Sequence, residues 1–296
     1  MTQEYNYHTE VMGCNFDMTF IAESTVQADS YFTQAVAIAK LYEDKFSRFD
    51  HNSELSFINR SKSANVSVEF LEVYEIAYNL YEKTQKRFNP LMQVARIGYD
   101  KSFEKITDVE TDNINDTNYN INLNEVTILT DRFILQDSQK LDFGGFLKGY
   151  VAQKIAQKME SSGGIIINIG GDMYVRGKDY NDEKFIIEII HPLDKTKNIS
   201  VIIENEAVCT SGTYKRRWGK DGKVKHHILN TDTKDSTKTD VISASVIHRD
   251  GSVADAYATL AITLGSQKVR QFFDKQQIKF VIICENGDIL KSDKFK

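Results

Sequence analysis

Two segments of the chain carry residue types suited to binding a phosphorylated ligand together with a metal ion. The first, LDFGGFLKGYVAQKIAQKM at 141–159, joins an acidic residue, a diglycine turn and a lysine that enters an amphipathic helix. Glycine lets backbone approach a ligand closely, and the amides at a helix N-terminus attract phosphate. Lys148 adds a positive charge there, so the segment predicts a phosphate-binding turn. It matches neither the P-loop pattern nor GxGxxG.

The second segment, DGSVADAYATLAITLG at 250–265, places Asp255 and Thr259 four residues apart. On a helix these two side chains share one face. A carboxylate and a hydroxyl, completed by a backbone carbonyl and phosphate oxygens, form a hard oxygen site suited to Mg²⁺. The alternative is structural, because an acid near a helix N-terminus stabilises the helix dipole while the threonine can face the core.

Two further segments each have a functional and a structural interpretation. In IIINIGGDMYVRG, at 165–177, the second diglycine suits either a turn that approaches a ligand or a tight hairpin. In CTSGTYKRRW, at 209–218, small polar residues precede three basic ones. These basic residues could meet a phosphate or carboxylate, or they could form the solvated tip of a hairpin.

Two other segments are polar but less specific. KHHILN, at 225–230, places His226 and His227 on opposite faces of a predicted strand, so that one of them could face a site. FSRFDHNSELSFIN, at 46–59, leaves a long predicted helix through a polar turn, in which Ser53 and Glu54 are suited to cap the residues that follow.

The elements that must position these residues are a mixture of helices and strands. Helical spacing of apolar residues predicts helices at about 27–47, 68–87, 141–160 (after the turn), 253–264 and 266–275. Strands are predicted near 16–22, 126–136, 164–169, 184–190, 199–204, 207–209, 224–229, 241–248, 279–284 and 288–291. The polar region 104–125 indicates a loop or a weak hairpin. Without a regular βαβ alternation the pattern favours an α+β fold.

Composition limits the domain organisation and the class of protein. Only two prolines occur and no Gly/Ser-rich linker is present, which predicts one continuous domain over 1–296. A net charge of −5 and a pI of about 5.8 argue against binding of nucleic acid. The three cysteines lack CxxC spacing, so neither a zinc site nor a disulfide framework is expected.

The first ten residues bear on localisation. MTQEYNYHTE has neither a basic start nor an apolar stretch, so a cytoplasmic protein is expected from this start site. A trimmed exported or membrane-anchored form stays open.

In their order and spacing, these segments resemble the ApbE family, the flavin transferases that use FAD to attach FMN covalently to a protein threonine. The matching segments cover about 12–290 and are MGCNF, FSRFD with SELSFIN, FNP, LDFGGFLKGY, NIGGDMYVRG, TSGTYKRRW, HHI and ADAYATLAITLG. The resemblance implies an α+β fold of the T-fold-like kind, with mixed, mainly antiparallel sheets and packed helices.

The resemblance also implies roles for residues of this sequence. Asp255 and Thr259 would coordinate Mg²⁺ with help from the carbonyl of Gly145. His227 would be the general base, acting with Lys148 and Asp255. The residues implied to line the FAD pocket are Gly144, Gly145, Lys148, Gly171, Asp172, Ser211, Gly212, Tyr214, Arg216 and His227.

The implied reaction transfers the FMN moiety of FAD to a threonine hydroxyl of an acceptor protein, depends on Mg²⁺ and releases AMP. The partners would then be FAD and that acceptor protein, with no nucleic acid, and a homodimer stays open. Two other functions also stay open: an FAD pyrophosphatase that yields FMN and AMP, and a non-catalytic flavin-binding protein.

The sequence departs from the family pattern most at 227–237. HILNTDTKDST stands there in place of HIIDPxTG, and the loss of proline and glycine predicts a mobile loop and weaker FAD affinity. Gln153 replaces an aspartate usual in the helix after the diglycine turn, and FNP at 88–90 replaces the commoner FDP.

Overall fold

The computed structural model describes residues 2–99, 117–130, 132–159, 163–219 and 224–295. Its strands are β1 Gln3–Val11, β2 Cys14–Ala22, β3 Ser63–Ala64, β4 Thr127–Ile128, β5 Phe133–Ile134, β6 Ile165–Ile169, β7 Asp172–Arg176, β8 Phe185–Ile189, β9 Ile199–Ile203, β10 Glu206–Gly212, β11 Arg217–Trp218, β12 Lys225–His226, β13 Val241–His248, β14 Lys279–Cys284 and β15 Ile289–Lys291. Its helices are α1 Thr25–Phe46, α2 Glu54–Ser61, α3 Val68–Lys83, α4 Leu147–Lys158, α5 Gly251–Leu264 and α6 Ser266–Lys275.

The chain divides into two compact units. The first unit comprises Met1–Tyr42, Phe146–Gly212 and Thr239–Lys296, and the second comprises Glu43–Gly145 and Thr213–Lys238. The single domain over 1–296 stays a prediction.

An eight-stranded antiparallel sheet forms the centre of the first unit. Its strand order is β1-β2-β6-β7-β10-β13-β14-β15. Helices α4 and α5 pack on the central strands and on each other. The β8–β9 hairpin contributes alternate apolar residues, mostly isoleucines, to an apolar cluster with sheet residues such as Val175 and Ile247. Because β13 is covered almost throughout, its sequence VISASVIH is nearly continuous in small and apolar residues.

The second unit is built around aromatic side chains. The rings of Phe70 and Phe133 have centroids 5.2 Å apart, and Phe46 and Phe143 pack against each other at 5.8 Å. Helices α2 and α3 belong to this unit together with a three-stranded sheet ordered β3-β5-β4 and the two-stranded sheet β11–β12. Ser53 is the N-cap of α2, as expected, since its hydroxyl accepts a hydrogen bond from the Ser56 amide at 3.0 Å.

The α+β class predicted from the sequence is confirmed, and every strand pairing among the described residues is antiparallel. The sequence missed β1, whose alternating polar residues belong to an edge strand with one exposed face. The strand predicted at 224–229 is only two residues long, and the strand at 126–136 is divided into β4 and β5.

Part of the polar region 104–125 lies outside the described residues. Its described end contains a 3₁₀ turn at Leu123–Glu125. None of the helices in the described ranges is long and apolar enough to cross a lipid bilayer.

Candidate functional site

The N-terminus of α4 receives a carboxylate from the protein itself. The Gly149 amide donates a hydrogen bond to Asp255 Oδ2 at 3.1 Å. The preceding N-cap residue, Phe146, makes no side-chain capping bond. The first turn of a helix favours a negative charge, because its amides lack intrahelical partners. The sequence predicted a bound phosphate at this turn. In the structure, the anion that the Gly149 amide binds is the side chain of Asp255.

Two glycines allow this contact by removing bulk between α4 and α5. A Cβ on Gly149 would lie 2.2 Å from the Gly251 carbonyl oxygen, and a Cβ on Gly251 would lie 2.2 Å from the Gly149 carbonyl oxygen. The Gly251 amide also donates to Gln153 Oε1 at 2.7 Å. Gln153 therefore ties α4 to the start of α5.

Asp255 is only 3% exposed, and burial raises the pKa of its carboxyl group. The Lys148 ammonium and the Gly149 amide act in the opposite direction and favour the ionised form. Its Oδ1 makes no hydrogen bond with any described residue. Beside it, burial raises the pKa of the Cys209 thiol well above its usual value, so this cysteine stays neutral. The other two described cysteines form no disulfide either; Cys284 is buried and Cys14 is half-buried.

Lys148 has a counterion within the first unit. Its ammonium group forms an ion pair with Asp172, whose side chain is 2% exposed. The second oxygen of Asp172, Oδ1, accepts a hydrogen bond from the Thr210 amide at 3.2 Å. Lys148, which the sequence treated as a group beside the ligand, thereby links the start of α4 to β7 and β10.

Two neighbouring residues of β10 each form a hydroxyl pair with another element. Ser211 Oγ lies 2.9 Å from Thr259 Oγ1, on the same face of α5 as Asp255. On the opposite face of the sheet, Thr210 Oγ1 lies 2.7 Å from Ser245 Oγ. Ser211 and Thr259 thus bring two hard oxygen donors together one helical turn from Asp255.

The second diglycine forms the tight hairpin between β6 and β7. Ile169 and Asp172 are paired across it, and Gly170 and Gly171 have φ angles of 63° and 101°. Both values lie in the left-handed region that a two-residue hairpin of this kind requires. The turn delivers Asp172 to its ion pair with Lys148, while the Gly171 backbone has open space where a Cβ would lie.

The remaining predicted site residues lie in the second unit. The amide of Gly144 donates to Asp142 Oδ1 at 2.9 Å, and a Cβ on Gly145 would lie 3.0 Å from the Phe88 ring. Arg216 is half-buried. Burial raises the pKa of the half-buried Tyr214.

The two histidines differ in burial, although β12 ends at His226 and the alternation expected for a strand through both is not tested. His226 is buried, its Nε2 lies 2.9 Å from the Thr237 carbonyl, and its Nδ1 accepts a 3.3 Å hydrogen bond from the Ile228 amide. Burial lowers the pKa of His226, so it is a neutral structural residue. His227 is half-buried, with its ring 6.4 Å from that of Tyr99.

The segment predicted to be mobile is a hydrogen-bonded hairpin. Asn230 Oδ1 accepts from the Asp232 and Thr233 amides at 2.8 and 3.2 Å, and the Lys234 amide donates to the Asn230 carbonyl at 2.8 Å. Lys234 has a φ of 54°, and Lys225 forms an ion pair with Asp235. The Asn230 side chain thus fixes the turn through its hydrogen bonds, and Lys234 adopts the left-handed backbone conformation. Together they build a turn that was expected to need proline and glycine.

The structure therefore arranges the predicted site residues in two groups. The first unit holds Lys148, Gly171, Asp172, Ser211, Gly212, Asp255 and Thr259, and the second holds Gly144, Gly145, Tyr214, Arg216 and His227. Sequence reasoning missed Gly149 and Gly251 as contact glycines, although each stands at the start of a predicted helix where close packing needs a small residue. It also assigned no role to Asp142. Its position two residues before a turn glycine could have indicated that its side chain accepts a hydrogen bond from that glycine's amide.

Comparison with known proteins gives consistent matches over the whole chain. The model of the ApbE family matches residues 12–282. A protein of Klebsiella pneumoniae named FAD:protein FMN transferase is 26% identical over 307 residues, covering 97% of this chain and 92% of that protein. One of the same name from Haemophilus influenzae is 22% identical, covering 96% of this chain and 88% of its own length.

Solved structures agree in fold. The flavinyl transferase ApbE of Pseudomonas stutzeri, in its apo form, superposes with a TM-score of 0.86 at 15% identity, covering 99% of this chain and 95% of that one. The flavin transferase ApbE of Vibrio cholerae gives a TM-score of 0.83 at 21% identity, covering 100% of this chain and 99% of that one.

Proposed function

The chain belongs to the ApbE family, and from that membership we propose that it transfers the FMN moiety of FAD to a threonine hydroxyl of an acceptor protein, with release of AMP. Relatives that span nearly the whole chain carry the name of this activity. The proposed partners are FAD and an acceptor protein. A homodimer and a cytoplasmic location are proposed with it.

The observation that supports this function most directly is the arrangement around Asp255. Its buried carboxylate is oriented through Oδ2 by the Gly149 amide, while Oδ1 remains without a hydrogen-bond donor in the described part of the chain. Thr259 and Ser211 supply neighbouring hydroxyl oxygens. The described residues contain no group of three or more His, Cys, Asp or Glu side chains that could hold a metal by themselves. A metal here would thus need oxygens from its substrate.

That donor set fits Mg²⁺, which prefers oxygen ligands and is bound in many enzymes by one or two carboxylates plus substrate phosphates. Asp255 and Thr259 would hold the ion, and the Gly145 carbonyl is the proposed third protein ligand. Bound in this way, Mg²⁺ would neutralise charge on the pyrophosphate of FAD.

The residues of the chain have separate roles in the proposed reaction. The threonine oxygen of the acceptor attacks the FMN phosphorus, the bond from that phosphorus to the bridging oxygen breaks, and AMP leaves with that oxygen. His227 takes the proton of the threonine hydroxyl, a contribution of about 10²–10⁴-fold for a well-placed base. Lys148 and Arg216 supply positive charge, which is the main requirement of phosphoryl transfer.

The same residues would hold FAD before transfer. The proposed pocket is formed by Gly144, Gly145, Lys148, Gly171, Asp172, Ser211, Gly212, Tyr214, Arg216 and His227. Four residues of this set are glycines, which allow the pyrophosphate to approach backbone amides closely.

The function is tested by incubating the pure protein with FAD, Mg²⁺ and candidate acceptor proteins, and by measuring AMP together with a flavin-fluorescent protein band. We expect Asp255→Asn to abolish both products while the protein stays folded, because asparagine keeps an acceptor for Gly149 but loses the anionic ligand. The matched control is Asp240→Asn, which alters a carboxylate that accepts from Ser266 at the start of α6, outside the site.

The outcomes separate the candidate functions. AMP without a flavin-labelled protein would indicate an FAD pyrophosphatase, and FAD binding without either product would indicate a non-catalytic flavin-binding protein. Wild-type turnover in Asp255→Asn would refute the metal assignment.

A further inference from the structure

Arg48, on the segment just after α1, lies in a rigid turn within the second unit. Ser47 Oγ accepts hydrogen bonds from the Phe49 and Asp50 amides, both at 3.3 Å. The carbonyl of Ser47 accepts a hydrogen bond from the Ser53 hydroxyl at 2.7 Å. These bonds fix the backbone from which the Arg48 side chain projects.

The guanidinium group of Arg48 is held on several sides. Nη1 donates to the Tyr99 carbonyl at 2.6 Å, and Nε lies 3.3 Å from Asp142 Oδ2. Its planar group also lies over two aromatic rings, 4.1 Å from the centroid of Phe49 and 4.4 Å from that of Tyr99. The side chain is 18% exposed, so these contacts are largely shielded from water and have more effect than a surface ion pair.

Through Asp142 the arginine reaches the first diglycine turn. Asp142 uses Oδ2 for Arg48 and Oδ1 for the amide of Gly144, at 2.9 Å. The Asp142 amide in turn donates to the Pro90 carbonyl at 2.8 Å. A carboxylate shared between a cation and a turn amide sets the direction of that amide, and with it the orientation of the next peptide group, at Gly145.

Through Tyr99 the arginine reaches the ring of His227. The Tyr99 ring lies 6.4 Å from His227, edge to face, and 5.4 Å from Trp218. Trp218 is itself fixed by a 2.8 Å hydrogen bond from its Nε1 to the Ile97 carbonyl. One arginine therefore contacts both the carboxylate that orients the diglycine turn and the ring that packs against His227.

We propose that Arg48 is a positioning residue that holds the diglycine turn, through Asp142, and the His227 ring, through Tyr99, in the geometry needed for turnover. The proposal deepens the proposed function and rests on it for its kinetic consequence. Arg48 acts through other groups, since none of its described contacts is with a residue proposed to touch the substrate.

The geometry requires arginine and not merely a positive charge. A lysine has one point-like ammonium group, so it cannot bond the Tyr99 carbonyl and the Asp142 carboxylate from two separate nitrogens while a planar group lies against the Phe49 and Tyr99 rings. Asp142→Asn is the complementary change, because it keeps an oxygen for the Gly144 amide and loses the charge that attracts Arg48. The matched control is Lys45→Met. Lys45 lies in the same unit as Arg48 and is similarly exposed, and the substitution removes its ion pair with Glu69.

Two measurements on the full chain need no turnover. Trp218 is the only tryptophan, so its fluorescence reports on the cluster with Tyr99. Hydrogen exchange of the peptide that contains the Gly144 amide reports on the turn. We expect Arg48→Lys to shift the fluorescence and to speed exchange at the turn, Asp142→Asn to speed exchange with a smaller change in fluorescence, and Lys45→Met to leave both as in the wild type.

The kinetic measurement uses FAD, Mg²⁺ and an acceptor protein. We expect Arg48→Lys to lower kcat about 10–100-fold with a much smaller change in KM for FAD, because displacing a reacting group by about 1 Å can cost about 100-fold. Unchanged fluorescence and exchange in Arg48→Lys would overturn the proposal, as would a wild-type kcat. A wild type that forms no flavinylated protein would refute the proposed function instead, and the two structural measurements would still decide whether Arg48 holds the turn.

Discussion

Asp172 and Asp255, two buried carboxylates of the first unit, are neutralised to different extents. Asp172 has Lys148 on one oxygen and the Thr210 amide on the other, whereas Asp255 has a donor on Oδ2 only. Burying an ionised carboxylate with incomplete compensation costs free energy. A cation bound at Oδ1 would remove that cost, which is why Asp255 is the residue on which the metal proposal depends.

The histidines allow a direct comparison of a base with a structural residue. We expect His227→Ala to lower turnover by about 10²–10⁴-fold, the loss that removal of a general base produces. His226→Ala should lose less turnover, because both ring nitrogens of His226 already bond backbone groups. Initial rates at neutral pH, normalised to folded protein, check this, and a larger loss in His226→Ala would reverse the assignment.

The pH dependence of stability should carry a contribution from His226. In the folded protein, burial lowers the pKa of His226 below its ordinary value of 6.5, so the folded state disfavours the charged form. The stabilising contribution is complete above the unfolded-state pKa and is lost as the pH falls below it towards the folded pKa. We expect the free energy of unfolding to decrease on acidification from about pH 7.5 to pH 5.5, and the decrease to be smaller in His226→Asn. Urea titrations at each pH give the free energy of unfolding of both proteins. An equal decrease of that free energy with falling pH in the two proteins would exclude the effect.

At the scale of elements, short turns carry the candidate site residues at the ends of regular structure. The β6–β7 hairpin presents Asp172, and the contact between α4 and α5 at two glycines brings Gly149 to Asp255. The hairpin after β12 contains the segment 227–237, interpreted from the sequence as the largest departure from the ApbE pattern.

That hairpin should be ordered before any ligand binds. The amides of Asn230, Lys234 and Thr237 all donate to backbone carbonyls within it. We expect these amides to exchange slowly in the free protein, with little added protection when FAD is supplied. Asn230→Ala should speed exchange across 229–237, because it removes the acceptor for two turn amides, whereas Thr231→Ala should not. Fast exchange in the free wild type that slows on adding FAD would instead support the mobile loop predicted from the sequence.

At the scale of the whole molecule, the strand pairing distinguishes this fold from the Rossmann dinucleotide-binding fold. The described strands pair only in antiparallel fashion, whereas the Rossmann fold places its dinucleotide at the end of a parallel sheet. We expect calorimetric titration in the presence of Mg²⁺ to show tighter binding of FAD than of NAD. Tighter binding of NAD would contradict both the fold argument and the proposed substrate.

The sequence by itself determined the elements whose patterns are local and strong. It predicted β13, α6 and β14 at the residues where they occur, the Ser53 cap, and the shared face of Asp255 and Thr259. These follow from periodicity and capping within a few residues, which no distant contact needs to supply. Weak local patterns were not sufficient, and β1 was missed because an edge strand with one exposed face can be largely polar.

Only the tertiary structure decided which site residues meet. Gly149 and Asp255 are 106 positions apart in the chain, Lys148 and Asp172 are 24 apart, and Arg48 reaches Asp142 across the second unit. Such pairs depend on how the sheet orders its strands and on how closely two helices pack, and neither is encoded in a local pattern. A lysine and an aspartate identified in the sequence as separate ligand groups therefore became partners of each other once the chain was folded.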